Sequence, residues 1–146
     1  MMMGPTCLCG HVSLVESLNW TGDYIVRWIR KLATEDIKYA APKKEKVDAF
    51  LKYSDEIHKT LVWTGACKSW YKRNRVDGRV TALFVGDAHL FSRMLGEIRG
   101  EDFDIIYNTA NPFRFIGHGF TKFEMDPDSD LAWYVDKADT PGGAVE

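Results

Sequence analysis

The sequence lacks any long apolar run and any strong excess of one charge. No apolar stretch of the 146 residues approaches the roughly 20 residues that a membrane-spanning helix requires, so the sequence predicts no transmembrane segment. The formal net charge of -2 gives no reason to expect binding to nucleic acid or to an anionic membrane surface.

Cysteine is also scarce. The three cysteines, Cys7, Cys9 and Cys67, are an odd number, which argues against a disulfide framework. The N-terminal residues have no basic region followed by an adequate apolar region, so we expect no signal peptide. We therefore expect a protein of the reducing cytoplasm.

Aromatic residues are what the sequence has in excess. They make up 13% of the chain, and five of them are Trp. Aromatic side chains bury large areas, so this content predicts a packed core or a large contact surface. We expect one domain over residues 1–137 and a disordered tail over residues 138–146, where small and polar residues predominate.

Three amphipathic helices are expected. The first runs from about Ser13 to Ala33, with Ser13 and Glu16 as a capping box. The second begins at Pro42 and places a basic run on its solvent side. The third begins at Asp87, which is a plausible N-cap. The apolar faces are Leu18, Gly22, Ile25, Ile29 and Leu32 in the first helix; Val47, Phe50, Leu51, Ser54, Ile57 and Leu61 in the second; and Leu90, Met94 and Ile98 in the third.

Short strands are expected between and after these helices. Residues 79–85 alternate enough to form one strand after the Asp77-Gly78 turn, and residues 104–107 form another. Gly117 and Gly119 flank His118 in a turn between short strands, and residues 131–135 form the last apolar element. The expected fold is α/β, an α+β fragment in which two long helices pack with short strands and a third helix.

Few residues suggest chemistry by their type and spacing alone. His11, His58, His89 and His118 are the side chains that titrate near neutral pH, and His11 and His118 are candidates for proton transfer. A zinc set of Cys7, Cys9, His11 and Cys67 can be drawn, but its C-x-C spacing is tighter than usual and its fourth ligand is remote. We therefore predict no metal site.

Local patterns follow one another along nearly the whole chain. Gly4-Pro5 followed by Gly10-His11-Val12-Ser13 resembles the GP…GHGS loop of fungal flavin monooxygenases of the Baeyer-Villiger type. Five further segments resemble that family in the same order: residues 20–31, residues 60–63, the Cys67-Lys68-Ser69-Trp70-Tyr71-Lys72 segment, residues 77–83, and residues 101–103 with 113–121. The resemblance implies the C-terminal segment of an FAD- and NADPH-dependent enzyme. In such enzymes hydride transfer to the flavin is followed by activation of O2 on it.

The resemblance also implies a set of cofactor-binding residues. Trp70 would donate its indole N–H to the nicotinamide cofactor and border the substrate pocket, and it joins His11 and His118 as a candidate catalytic residue. The adjacent Ser69 would also contact the cofactor. Gly4, Pro5, Gly10 and His11 would lie near the flavin ring. The alternatives are a core Trp that holds its loop to the second helix, and an N-terminal segment that binds no ligand.

The family's two GxGxxG fingerprints, which anchor the pyrophosphates of FAD and NADPH, are absent. We therefore expect that the chain binds neither cofactor alone and does not oxygenate a substrate alone. Three functions stay open: part of a monooxygenase of fungal secondary metabolism, a cofactor-independent isomerase, cyclase or hydrolase, and a non-catalytic scaffold. The expected partners are a small-molecule substrate or a complementary protein chain, and a homo-oligomer is possible.

Overall fold

A computed structural model describes residues 2–135. Its first and longest element is α1 (Leu14–Thr34). No proline interrupts this span, and α1 packs against a later helix and a strand. The predicted capping box is wrong, because no side chain caps the first turn. The inward face also differs from the predicted one: Ser17 is buried and Ile29 is 58% exposed.

A two-stranded antiparallel sheet follows α1. It pairs β1 (Ile37–Pro42) with β2 (Phe103–Tyr107), and Pro42 lies opposite Phe103. The strand predicted at 104–107 is confirmed, whereas β1 was not predicted. Trp28 of α1 covers this sheet, with its ring centroid 4.6 Å from that of Phe103.

The second helix, α2 (Lys44–His58), begins two residues later than predicted, because Pro42 ends β1 instead of opening the helix. Its predicted division into two faces is largely confirmed. Ser54 is buried, Phe50 and Leu51 are half-buried, and Lys44 is exposed.

The small core lies where α1 meets α3 (Ala88–Leu95). Phe91 of α3 contacts Phe84 at 5.1 Å and Trp20 of α1 at 6.4 Å between ring centroids. The predicted N-cap of α3 is confirmed, since Asp87 accepts a hydrogen bond from the Leu90 amide at 2.7 Å. The helix ends at Leu95, so Ile98 lies outside it.

The strand predicted at 79–85 is wrong. Within the described chain only Leu83 of this segment takes part in strand pairing, as an isolated parallel bridge to Leu8. The segment is nevertheless buried, with Val80, Leu83 and Phe84 each at most 6% exposed. Its alternating pattern thus indicated burial rather than a sheet.

The helices, the sheet and the core described above form the body of the chain. Residues 111–135, the arm, lie outside this body. All of them are exposed except Ser129, which is half-buried. The turn at Gly117 (φ 62°) and Gly119 (φ 86°) is confirmed, but a 3-10 turn (Arg114–Ile116) and a short helix, α4 (Lys122–Met125), flank it instead of strands. Residues 131–134 form turns, and the tail predicted at 138–146 lies outside the described residues.

Taken together, the described elements are mixed helices and strands, as the predicted fold class requires. No helix between residues 2 and 135 is both long and apolar enough to cross a bilayer.

Candidate functional site

The N-terminal segment is fixed by backbone hydrogen bonds to the segment before α3. The Thr6 amide donates to Thr81 O at 2.9 Å, and the Leu8 amide donates to Ala82 O at 3.1 Å. The Phe84 amide returns a bond to Leu8 O at 2.8 Å. The segment that carries Gly4, Pro5 and Gly10 is therefore held in place before α1 begins.

An aromatic chain connects this segment to the loop that carries Trp70. A Cβ added at Gly10 would lie 2.9 Å from Trp63 Cζ2, so the indole ring packs directly on the glycine backbone. The Trp63 ring contacts Tyr71 edge-on at 5.7 Å, and Tyr71 contacts Trp70 at 5.9 Å. The structure thus brings the two sets of predicted cofactor residues into one region.

Trp70 itself is 62% exposed. This exposure does not fit the alternative of a core Trp; the half-buried indole of this region is Trp63, which packs against Gly10. An exposed indole offers a flat apolar face and an N–H donor to a ligand. Trp70 is therefore presented to the outside, next to the half-buried Tyr71 and the buried Lys72.

The residue that holds this loop is Lys72, which sequence reasoning missed. Its side chain is 1% exposed, and its Nζ donates to Gly65 O at 2.5 Å and to Val76 O at 2.7 Å. The two carbonyls lie at opposite ends of residues 65–76, the Trp70 loop. Lys72 therefore closes this loop from the inside, which a sequence pattern does not indicate because lysine is rarely buried.

Backbone contacts complete the Trp70 loop. Ser69 O accepts from the Lys72 amide at 3.0 Å and from the Asn74 amide at 2.9 Å, and Ser69 forms an isolated bridge with Arg75. Gly78 lies so close to Lys72 O that an added Cβ would be 2.2 Å from it. Only glycine fits at this position, so the predicted Asp77-Gly78 turn has a structural reason.

Two adjoining clefts border this region. One, of 310 Å³, lies between Gly4 and Pro5 on one side and Arg73 and Arg79 on the other. The other, of 380 Å³, shares the two arginines and adds Arg75 to its wall. Arg79 is anchored to α2 by its Nε, 2.7 Å from Asp55 Oδ1.

The two candidate histidines lie apart in the fold. His11 is exposed at the end of the N-terminal segment. His118 is in the arm, where its Nδ1 accepts from the Phe120 amide at 3.2 Å. The described contacts of His118 stay within the arm, so nothing in the structure joins it to Trp70 or His11 in one site.

The cysteines do not form a metal site. In residues 2–135 no group of three or more His, Cys, Asp or Glu side chains is arranged to hold a metal ion. All three cysteines are free; Cys9 is buried and Cys67 is exposed. Burial, reinforced by the nearby charges of Asp87 and Cys7, raises the pKa of the Cys9 thiol, so its position favours packing over ligation.

His58 is a second polar residue whose burial the sequence did not indicate. It is 2% exposed, its Nδ1 lies 3.3 Å from Ser54 Oγ, and its Nε2 has no hydrogen-bond partner among the described residues. Burial, together with the charge of Arg79, lowers the pKa of His58, although the Asp55 carboxylate and a hydrogen bond to the Ser54 backbone oppose this effect. The ring is therefore neutral at pH 7 and serves the packing of α2.

Comparison with known proteins gives three informative relatives. The chain is 40% identical over 134 residues to the FAD-binding monooxygenase tazF of Aspergillus terreus, which covers 90% of this chain and 24% of that protein. It is 34% identical to the probable FAD-binding monooxygenase ltbD of Aspergillus luteorubrus, covering 93% of this chain and 28% of that protein. It is 32% identical to the FAD-binding monooxygenase stcW of Emericella nidulans, covering 84% of this chain and 20% of that protein.

The chain thus spans about a quarter of the length of the curated relatives it matches. No protein-family model matches it, and no solved structure matches it significantly.

Proposed function

We propose that this chain, most of which is homologous to a segment of fungal FAD-binding monooxygenases, supplies one wall of the cofactor site in such an enzyme. In this proposal the complete enzyme is an FAD- and NADPH-dependent Baeyer-Villiger-type monooxygenase of fungal secondary metabolism. The observation that carries the proposal is the series of contacts from Gly10 through Trp63 and Tyr71 to Trp70, which links the N-terminal segment to the loop that exposes Trp70.

The residues present fit the edge of a flavin–nicotinamide pair but not a whole dinucleotide. A dinucleotide pyrophosphate is held by a glycine-rich turn between a parallel strand and a helix. The strands described between residues 2 and 135 form an antiparallel pair, and no GxGxxG occurs. The dinucleotide anchors must therefore come from another part of the enzyme or from another chain.

The predicted cofactor residues divide into a group on the flavin side and a group on the nicotinamide side. Gly4, Pro5, Gly10 and His11 would line the flavin side, where the first-turn amides of α1 carry no side-chain cap and are available to an electron-rich ring edge. Ser69 and Trp70 would face the nicotinamide. The bound flavin supplies the oxygen-activating chemistry, and this chain's residues orient the cofactors and exclude water.

The exposed side chains of the arm support the proposal that this chain contacts a complementary protein surface. Phe113, Phe120, Met125 and Tyr134 are each between 62% and 64% exposed. Exposed apolar side chains in such density are typical of a contact surface. We propose that the surface they contact is the dinucleotide-binding portion of the same enzyme.

A complementation assay tests the proposal. The chain is mixed with a tazF monooxygenase from which the matching 134 residues have been removed, and flavin absorbance and NADPH-dependent O2 consumption are measured. We expect no flavin spectrum and no NADPH oxidation from either part alone, and recovery of both when the parts are combined. NADPH oxidation by this chain alone, or a combination that never gains activity, would contradict the proposal.

A matched pair of variants assigns the role of Trp70 in the same assay. Trp70→Ala should raise the KM for NADPH because the loop loses its exposed indole. Tyr53→Ala, which removes a 61% exposed aromatic residue from α2, should leave the KM unchanged. Equal effects of the two substitutions would remove Trp70 from the cofactor site.

One observation favours a cofactor-independent enzyme as the second candidate. A largely apolar cleft of 810 Å³ lies between α2 and the end of the sheet, lined by Val47, Phe50 and Phe103. Lys46 and Arg99 stand at its rim as polar groups that could orient a substrate. Saturable binding of an apolar small molecule by the isolated chain, lost in Phe50→Asp, would favour this candidate, and failure to bind would remove it.

A reducing compartment accords with the three free cysteines, and we propose the cytoplasm as the location.

A further inference from the structure

Positive charge is concentrated in one short stretch of this chain. Residues 68–79 contain five of the 19 basic residues and one of the 21 acidic residues, although the whole chain has a net charge of -2. The remaining residues are therefore clearly acidic on balance. A charge separation of this kind is a physical basis for attracting an anion to one region of the surface.

The stretch folds around a concave surface. The cleft of 380 Å³ has Arg73, Arg75 and Arg79 in its wall, with Asp77 as its acidic member. Arg79 is already paired with Asp55 at 2.7 Å. Within the described chain no carboxylate lies within salt-bridge distance of Arg73 or Arg75, so both guanidinium groups are free to meet a ligand.

Lys72 adds a buried positive charge to the same wall. Its ammonium is hydrogen-bonded to two neutral carbonyls, Gly65 O and Val76 O, and to no carboxylate of the described residues. Two of its three N–H donors are used in this way, and the charge is not neutralised. An anion in the cleft would offset a charge that the protein itself leaves uncompensated.

The backbone is held in an uncommon conformation where it enters the cleft. Arg73 (φ 54°) and Asn74 (φ 57°) are consecutive left-handed residues. Arginine has no special tolerance for this conformation, and strained residues of this type gather at ligand sites. The turn places Arg73 and Arg75 on the same cleft.

We propose that this cleft binds the phosphate groups of a phosphate-bearing ligand, with Arg73 and Arg75 as the principal contacts. Guanidinium groups form paired, charge-assisted hydrogen bonds with phosphate oxygens, and two of them match a diphosphate better than a single carboxylate. The site goes beyond the proposed monooxygenase role, since phosphate binding requires neither a flavin nor the complementary protein portion.

Calorimetric titration of the full chain tests the site, with inorganic pyrophosphate as the first probe and NADP+ as the second. We expect saturable pyrophosphate binding that weakens as the salt concentration rises. Tighter binding of NADP+ than of pyrophosphate would identify the natural source as a nucleotide, and equal or weaker binding would identify it as a free phosphate. No binding of either probe at millimolar concentration would overturn the proposal.

Arg75→Gln and Arg73→Gln should each weaken pyrophosphate binding about tenfold, since each removes a charged donor pair. Arg30→Gln, an exposed arginine on α1, is the control and should leave the affinity unchanged. Circular dichroism of each variant checks that the fold is intact. Equal losses for Arg30 and Arg75 would show only a general charge effect and would overturn the assignment, whereas failure of the complementation assay above would leave it intact.

Discussion

Lys72→Met is the most informative perturbation of the Trp70 loop. The substitution keeps the length and apolar stem of the side chain but removes the donors to Gly65 O and Val76 O, at 2.5 and 2.7 Å. A hydrogen bond to a charged group contributes about 1.5–3 kcal/mol, so the two bonds together contribute roughly 3–6 kcal/mol. Relief of the buried charge offsets several kcal/mol of this amount.

The net expectation is a destabilisation of about 2–3 kcal/mol for Lys72→Met, because Val76 O loses its described donor and Gly65 O keeps only the Cys67 amide at 2.8 Å. For a chain of this length that loss lowers Tm by roughly 5–10 °C. Thermal unfolding followed by circular dichroism measures it. Limited proteolysis should also show earlier cleavage in the loop between Gly65 and Val76.

Lys68→Met is the matched control, since Lys68 belongs to the same loop but is exposed. It should change stability by no more than about 0.5 kcal/mol. If Lys72→Met and Lys68→Met unfold at the same temperature, the buried ammonium does not hold the loop and the reasoning about Trp70 presentation fails with it.

Three further substitutions, the first with Gly22→Ala as its control, test separate parts of the fold by thermal unfolding. Gly10→Ala should destabilise the fold by about 1–3 kcal/mol, because its Cβ would lie 2.9 Å from Trp63. Gly22→Ala in α1 has room for the Cβ and should be neutral or stabilising. A larger loss of stability for Gly22→Ala than for Gly10→Ala would contradict the packing of Trp63 on Gly10. Because burial lowers the pKa of His58 below its unfolded value of about 6.5, its contribution to stability is complete above that pH and is lost as pH falls towards the folded pKa. His58→Leu should therefore flatten the decline of Tm between pH 7.5 and 5, and an unchanged slope would remove His58 as its cause. Asp87→Ala should cost about 1 kcal/mol by removing the N-cap of α3, and no change in Tm would show that the cap contributes nothing.

The periodicity of apolar residues was sufficient to predict the three longer helices and the strand β2, but not its partner β1. The first and second helices and the Asp87 cap follow from local patterns, which are read within a few turns of chain. β1 was missed because its pairing partner, Phe103–Tyr107, lies some 60 residues away and because Pro42 is more typical of a helix start than of a strand end.

In the candidate site, too, local sequence patterns indicated some residues, whereas others depend on contacts that only the folded chain makes. A resemblance indicated Gly10 and Trp70, and the structure then placed Trp63 and Tyr71 between them. Lys72 had no signal in the sequence, since a lysine in a basic stretch is normally exposed. Its burial depends on two backbone carbonyls whose positions only the folded loop defines.

Removal of the arm tests whether the body of the chain folds without it. β2 ends at Tyr107, and Asn108 then fastens the chain to Asp36 through a side-chain bond of 2.7 Å. Beyond that point residues 111–135 are exposed apart from Ser129, and their backbone hydrogen bonds to described residues are local. A chain that ends at Ala110 should therefore keep the far-ultraviolet spectrum of the body and unfold within about 2 °C of the full chain. It should not recover activity in the complementation assay, because the exposed aromatic residues of the proposed contact surface are gone. A fall in Tm as large as that expected for Lys72→Met would instead mean that the arm packs against the body and that its exposed residues are not a contact surface for another protein.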